Sequence, residues 1–519
     1  MILERSHNTV RIMRAGIVSK IANLVFPFLS RAVFVRTLGA EYFGVNSLFT
    51  SILSVLSLTE LGFGSAVVFS MYKAIADDDE QLINALLFFY RKVYRYIGTI
   101  ILSIGLMLIP FLPHLTKGTY PADINPLVVY LVFLLNTVAS YFLFAYLNSL
   151  LFAFQRTDIN TMIVMIMNIG ANIVQIVLLL TTNNYYFYLI ILPVFTVLTN
   201  ICTALVVKKV FPQYRPYGEI DSATKAEIKE KVNGLMVEKL CGTSRNSFDS
   251  IFISLFLGLT EIAKYNNYLY IIGSVAGVMG IASSAVLAGA GNSVATETQS
   301  KNYRDMMRIN FIYMWASGWC SICLICLYQP FIKIWVGDKM LLPMSSVVLL
   351  CIYFYILKMG DIRYVYACAC GLWWQNRYLS LAEAGTNIIL NYLLGKNFGI
   401  NGIIGATLIS LFFFNFCCSS QIVYRYYFTD QKVHSYFSFH AKCVAITTLV
   451  CGANWLLCSI IPDTLAGFVG KTCVCCFVPN ILYFLIYRKT KKYKEAMPWV
   501  LRRVGLKVTN PIYRFLITD

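Results

Sequence analysis

The sequence predicts an all-α polytopic membrane protein of about fourteen transmembrane helices: two pseudo-symmetric six-helix lobes plus two C-terminal helices. Composition, run length and an internal repeat predict it. Hydrophobic residues make up 58% of the 519 positions and charged residues 13%, with a mean hydropathy of +0.66. A soluble domain carries about a quarter charged residues. Apolar runs of about 18 residues or more are long enough to span a bilayer as helices. They fall at 17–38, 45–70, 94–110, 127–152, 163–181, 186–207, 234–257, 265–294, 310–327, 343–365, 378–396, 403–424, 443–461 and 467–487.

The repeat groups these runs. Asn168-x-x-x-Asn172 returns as Asn387-x-x-x-Asn391, 219 positions later, and Lys20 returns as Lys239 at the same offset. Glu41 with Asn46 recurs as Glu261 with Asn266, and Gln155 as Gln375, one residue further on. The first run therefore pairs with the seventh and the fifth with the eleventh, and the last two have no copy. The predicted organisation is a lobe at 1–207, a cytoplasmic linker at 208–233, a second lobe at 234–424, two further spans at 425–487 and a basic tail at 488–519. Two copies of a membrane unit are the build of a transporter, with sites near the bilayer midplane.

The net charge of +18 follows membrane topology rather than a nucleic-acid footprint. With the N-terminus inside, cytoplasmic segments hold roughly thirty Lys and Arg, outer loops about seven and the spans about six. Arg5, Arg11, Arg14, Lys73, Arg91, Lys92, Lys301, Arg304, Arg308 and the run Arg488–Lys494 all fall inside. An even number of spans returns the C-terminus to the cytoplasm, where basic residues meet anionic lipid. The polar, basic stretch through Arg14, followed by a run of spanning length, predicts no cleaved leader. The linker stretch from Asp221 to Lys231 reads as a short interfacial amphipathic helix joining the halves, and the tail after Tyr493 reads likewise.

Sixteen cysteines, all from Cys202 onward, read as small apolar residues of lipid-embedded helices, as in Cys320-Ser-Ile-Cys323 and Cys473-Val-Cys475-Cys476. The four histidines (His7, His114, His434 and His440) are scattered, so neither a metal nor any other cofactor is expected.

Charges inside spans are costly and mark function by default. Lys20, Asn23, Pro27 and Arg31 step along one stripe of the first span. Arg31 lies about 21 Å beyond Ile17, deep for a cation on the cytoplasmic side. A proline-kinked helix with a positive stripe suits an anion cavity; snorkelling of Lys20 inward and Arg31 outward is the plainer reading. Glu60 stands mid-span in Leu58-Thr-Glu-Leu-Gly-Phe-Gly-Ser65, where paired glycines invite a helix break. Such a carboxylate is either a proton or cation site or a partner for Arg31. In the seventh span Glu238, Gly242, Arg245 and Asp249 form a stripe with Lys239 beside it. Arg245 and Asp249 are spaced to pair, and a face this charged cannot look at lipid. Lys358 and Asp361 in the tenth span are also spaced to pair, with Arg363 nearby and Glu383 in the eleventh. The candidate anion site is thus Lys20, Arg31, Lys239 and Arg245, and the candidate coupling or cavity acids are Glu60, Glu238, Asp249 and Asp361. Tyr265-Asn-Asn-Tyr268-Leu-Tyr270 suits sugar hydroxyls and an outer membrane boundary equally.

Two segments carry a family resemblance. Val35-Arg-Thr-Leu-Gly-Ala-Glu-Tyr-Phe-Gly-Val-Asn-Ser-Leu-Phe and Leu58-Thr-Glu-Leu-Gly-Phe-Gly-Ser-Ala resemble the start of bacterial polysaccharide transporters. These are the oligosaccharide-lipid (Wzx-type) flippases of the multidrug/oligosaccharidyl-lipid/polysaccharide exporter superfamily. Asn387-Ile-Ile-Leu-Asn391-Tyr-Leu-Leu-Gly, followed by Phe398-Gly-Ile-Asn-Gly-Ile-Ile-Gly-Ala-Thr-Leu-Ile-Ser, is similar to their eleventh and twelfth spans. The resemblance implies two six-helix lobes, alternating access, two added helices and a bacterial cytoplasmic-membrane location. It implies a substrate of sugar repeat units on polyprenyl pyrophosphate, with polysaccharide polymerase and glycosyltransferases as partners beside membrane lipid. A positive cavity suits pyrophosphate, since Arg matches phosphate geometry and Lys supplies a point charge. A peptidoglycan-precursor flippase shares these features. A drug or metabolite antiporter of the superfamily would favour an acidic cavity. A membrane glycosyltransferase or polymerase would need a large outer loop or a loop carboxylate pair, and the outer loops are short, so no enzyme is expected. No phosphate-binding G-x-x-x-x-G-K-[ST] loop occurs.

Overall fold

The computed structural model describes the backbone of residues 5–60, 63–118 and 120–503. The side chains of 5–15, 17, 59, 231, 233–241, 244, 246, 288, 502 and 503 also lie outside the described residues. Every regular element among the described residues is helical. In hydrocarbon the backbone must satisfy its own hydrogen bonds, and a helix does so within one segment. Contacts divide the chain into two units, Met1–Asn266 and Asn267–Asp519.

The first unit opens with α1 (Arg5–Thr37), which runs through Pro27 as one helix. Gly39, at φ 100°, turns the chain into α2 (Ala40–Leu56). A 3-10 turn at Ser57–Glu60 then interrupts the span before α3 (Phe63–Ala76), so the expected break does fall beside Glu60. Asp79 caps α4 (Glu80–Met107) by accepting from the Leu82 amide at 2.9 Å. Asn125 caps α5 (Pro126–Phe142), and α6 (Asn148–Ala153) follows a 49° bend. Next come α7 (Thr157–Thr182) and α8 (Tyr185–Val210). Asp221 caps α9 (Ser222–Leu257), and α10 (Leu259–Thr296) begins in this unit and continues into the second.

α1 lies along α7, α7 along α8, α8 along α5 and α5 along α4, while α9 packs on α2 and α3. The approach is close: a Cβ on Gly44 of α2 would overlap the Leu259 carbonyl at the start of α10. Ile173, Val177 and Leu180 of α7 and Leu205 of α8 are exposed, which suits a surface bathed by lipid.

The second unit is centred on α11 (Gln299–Val336), packed by α12 (Met344–Met359), α16 (Val433–Ser459), α17 (Leu465–Tyr487) and α18 (Lys491–Arg503). Between them run α13 (Asp361–Ala369), α14 (Trp373–Ser410), a π-helical stretch Leu411–Cys418 and α15 (Ser419–Tyr426). Within α14 the chain breaks at Gly399 (φ 58°, ψ −137°), so Asn387 and Asn391 precede the break and Thr407 follows it. The Asn387 amide donates to the Thr407 hydroxyl at 2.9 Å across that break.

Among the described residues nine helical stretches are long and apolar enough to cross a membrane, or ten with the bent pair α5–α6. The broken α2–α3, the α4 helix with Arg91, Lys92 and Arg95, and the charged α9 stay outside that count. Two further differences from the sequence reading concern boundaries. The linker's amphipathic segment is helical but not separate, because nothing between Ser222 and Leu257 breaks α9. The tail helix α18 docks by burying Tyr493 and Ala496 against the α11–α17 core, while Lys491, Lys492 and Lys494 stay exposed. Val504, Leu506 and Lys507 lie outside the described residues.

Candidate functional site

The first unit sets Arg31 and Asp249 at similar depth near one set of helix ends, with Arg245 one turn deeper on α9 than Asp249. Arg31, Asp249 and Asn266 sit six, eight and seven residues from the ends of α1, α9 and α10 that meet their turns, a layer about 9–12 Å deep at 1.5 Å per residue. Arg31 Nη1 donates to the Asn266 backbone carbonyl at 3.4 Å, and the guanidinium lies 5.1 Å from the centroid of the Phe43 ring. The Ser250 hydroxyl donates to Asn266 Oδ1 at 3.4 Å, and the Tyr265 hydroxyl donates to Asp249 Oδ2 at 3.1 Å. Asp249 is 0% and Arg245 8% exposed. Charges this buried must be matched by protein groups or by a ligand. The layer offers guanidinium, carboxylate, hydroxyl and amide groups over an aromatic face, a set suited to a polar or anionic ligand.

Lys20 shares the stripe but not the layer. It lies eleven residues before Arg31, about 16 Å along α1, and is exposed. One turn beyond it, Asn23 donates to the Ser19 hydroxyl at 3.0 Å and accepts from Asn168 of α7 at 3.2 Å. Asn172 donates to the Asn168 carbonyl at 2.7 Å. The asparagines that mark the repeat therefore join helices within a unit. The side chains of Glu238 and Lys239 lie outside the described residues.

Glu60 is held apart from Arg31. Its Oε1 accepts from the Tyr94 hydroxyl at 2.5 Å and its Oε2 from the Tyr141 hydroxyl at 2.6 Å. Tyr90 in turn donates to Tyr94 at 2.7 Å. A half-buried carboxylate at a helix break, with a file of phenols leading to it, has the parts of a proton or cation site. The 3-10 turn aims the carboxylate at α4 and α5, which supply the tyrosines.

Asp361 belongs to the second unit. Its Oδ2 takes the Lys358 ammonium at 2.7 Å and the Tyr313 hydroxyl at 2.5 Å. Arg363, fully buried, donates to the Asn415 carbonyl at 2.9 Å. Glu383 is buried as well, at 4% exposure. Sequence spacing anticipated the Lys358–Asp361 pair but not Tyr313, Tyr94 or Tyr141, which come from distant helices. It also did not anticipate that Cys326, Cys458 and Cys475 converge.

A bundle of apolar helices with guanidinium and carboxylate groups buried inside defines a polytopic membrane transporter. The chain belongs to the family of polysaccharide biosynthesis proteins, whose family model matches residues 13–289. Its fold is that of a solved flippase and of solved MATE transporters. The lipid II flippase MurJ in an inward closed conformation superposes with a TM-score of 0.66 at 14% identity, covering 92% of this chain and 99% of that one. An inward-facing multidrug resistance MATE family transporter of the MOP superfamily gives 0.61 at 14% identity, covering 78% and 94%. A Vibrio cholerae MATE transporter gives 0.55 at 13% identity, covering 83% and 99%. No curated protein matches the chain.

Proposed function

We propose that the protein is a flippase that moves polyprenyl-pyrophosphate-linked oligosaccharide units from the inner to the outer leaflet by alternating access, for a surface polysaccharide. The observation that carries this reading is a half-buried Arg31 bonded to α10 and a buried Arg245 on α9, in a chain whose family is polysaccharide biosynthesis. Arginine binds phosphate oxygens in pairs, and a low-dielectric surrounding strengthens the contact. In this reading Lys20 and Lys239 add cationic steps at a second level, and Glu60, Glu238, Asp249 and Asp361 are cavity or coupling acids. The chain crosses the bacterial cytoplasmic membrane fourteen times with both termini inside, as lobes 1–207 and 234–424 joined by 208–233 and followed by spans 425–487. Polymerase and glycosyltransferases are the partners that consume and supply the substrate.

An inside-negative potential favours outward movement of an anion by about 2.3 kcal/mol per charge per 100 mV, so a coupling cation assists rather than being required. The likeness to MurJ keeps a peptidoglycan precursor as the second reading, since that lipid shares the pyrophosphate. A drug antiporter is disfavoured by the guanidinium layer. Deleting the gene and analysing the lipids of the cytoplasmic leaflet separates these. Accumulation of a polyprenyl-linked repeat unit supports the proposal, accumulation of a peptidoglycan precursor moves it to the second reading, and unchanged lipid pools refute both.

A further inference from the structure

Three cysteines far apart in sequence meet inside the second unit. Cys326 of α11, Cys458 of α16 and Cys475 of α17 bring their Sγ atoms within 4.8 Å of one another, and all three are buried. Cys458 and Cys475 are 3.8 Å apart. A tetrahedral ion with sulfur ligands at about 2.3 Å holds neighbouring sulfurs at about 3.8 Å.

An amide stands over the three. Asn454, one turn before Cys458, is 0% exposed. Its Nδ2 points to Cys326 at 3.3 Å, Cys475 at 3.3 Å and Cys458 at 3.8 Å. Cysteines serving only as small apolar residues pack well among apolar neighbours and do not call for a buried amide. Its Oδ1 is also buried and has no hydrogen-bond partner among the described residues. N–H donors aimed at sulfur are what a thiolate–metal centre uses to offset its charge.

Charge and access fit as well. Three thiolates and a divalent ion leave one net negative charge, and Lys471 of α17, itself bonded to Asp463, lies within electrostatic reach of Cys458. Cys458 is the penultimate residue of α16, beside the turn to α17, so an ion has a short path in. The three thiol protons leave along it as the ion binds.

We propose that Cys326, Cys458 and Cys475 form a binding site for a soft, filled-shell divalent cation of the zinc and cadmium class, with Asn454 as the hydrogen-bonding residue behind the sulfurs. The site ties α11, α16 and α17 together and stands independently of the transport reading. The test uses the full-length chain, purified in detergent, reduced, desalted and titrated with cadmium chloride. A thiolate-to-metal absorption band should saturate at one equivalent. Cys458→Ser and Cys475→Ser should weaken binding by about tenfold or more, while Cys202→Ala in the first unit leaves it unchanged. X-ray absorption of the cadmium-loaded wild type should count three sulfur neighbours, a readout that needs no variant to fold. No saturable band, binding that survives either serine substitution, or fewer than three sulfurs overturns the proposal. So does a Cys458–Cys475 disulfide that persists through reduction and excludes the ion.

Discussion

Neutralising Asp361 should destabilise the second unit, and neutralising its partner as well should restore part of the loss. The Asp361 carboxylate takes the Lys358 ammonium at 2.7 Å and the Tyr313 hydroxyl at 2.5 Å. The side chains are 7% exposed for Lys358 and 23% for Asp361, so water screens the pair weakly. Asp361→Asn keeps an acceptor for Tyr313 and removes only the charge. It strands a buried ammonium, which costs about 3–5 kcal/mol when no water reaches it and less here because Asp361 is partly accessible. Lys358→Met should cost less, about 1–3 kcal/mol, because Asp361 keeps Tyr313 and lies in the field of Arg363. The double variant buries no unmatched charge from this pair, so its loss should be about 1 kcal/mol smaller than that of Asp361→Asn alone. Recovery is partial because Arg363 loses Asp361 too. The assay is thermal unfolding of the four proteins in one detergent at one scan rate, since membrane proteins unfold irreversibly. Asp361→Asn unfolding at the wild-type temperature would refute the reasoning. Export then assigns the role: a stable double variant that still exports makes the pair structural, and a stable one that does not keeps Asp361 among the transport residues.

Arg31→Ala and Arg245→Ala should abolish surface polysaccharide while the protein still inserts, and Lys at either position should rescue only in part because the paired phosphate contacts are lost; normal polysaccharide in the Arg31→Ala strain removes Arg31 from the site. In reconstituted vesicles Glu60→Gln should make transport insensitive to an imposed proton or sodium gradient while potential-driven transport survives, and Tyr94→Phe with Tyr141→Phe should blunt the same response because both donors to the carboxylate are gone. A wild type that ignores both gradients ends the coupling idea for every carboxylate named. Cys placed at Lys225 should be shielded from a membrane-impermeant reagent in intact cells and react after lysis; labelling from outside refutes the topology.

The fold was legible because hydrocarbon imposes length and apolarity on every span, and both are written locally. The breaks were legible where a special residue marks them, as the glycines beside Glu60 did. The charge layer was legible only in part. Arg245 and Asp249 announce themselves by spacing on one helix, but Arg31 finds a backbone carbonyl on α10, and a carbonyl has no signature in sequence. Tyr94 and Tyr141 reach Glu60 from 34 and 81 residues away, and no period links them. Cys326, Cys458 and Cys475 stand on three helices, so no ligand spacing exists to read, whereas the close spacing of Cys320-Ser-Ile-Cys323 belongs to one helix. The amphipathic segment at 221–231 looks separate in sequence because its composition changes where its backbone does not.

That unbroken helix is a stiff rod. Its 36 residues measure about 54 Å, whereas a hydrocarbon core is about 30 Å thick, so in the proposed topology roughly 24 Å stands clear of the lipid. Arg245 and Asp249 ride on the buried stretch, and Lys225, Glu227, Lys229 and Glu230 on the free one. With no joint between them, a tilt or twist applied to the protruding end by a protein, a lipid headgroup or a covalent modification carries directly to the guanidinium layer.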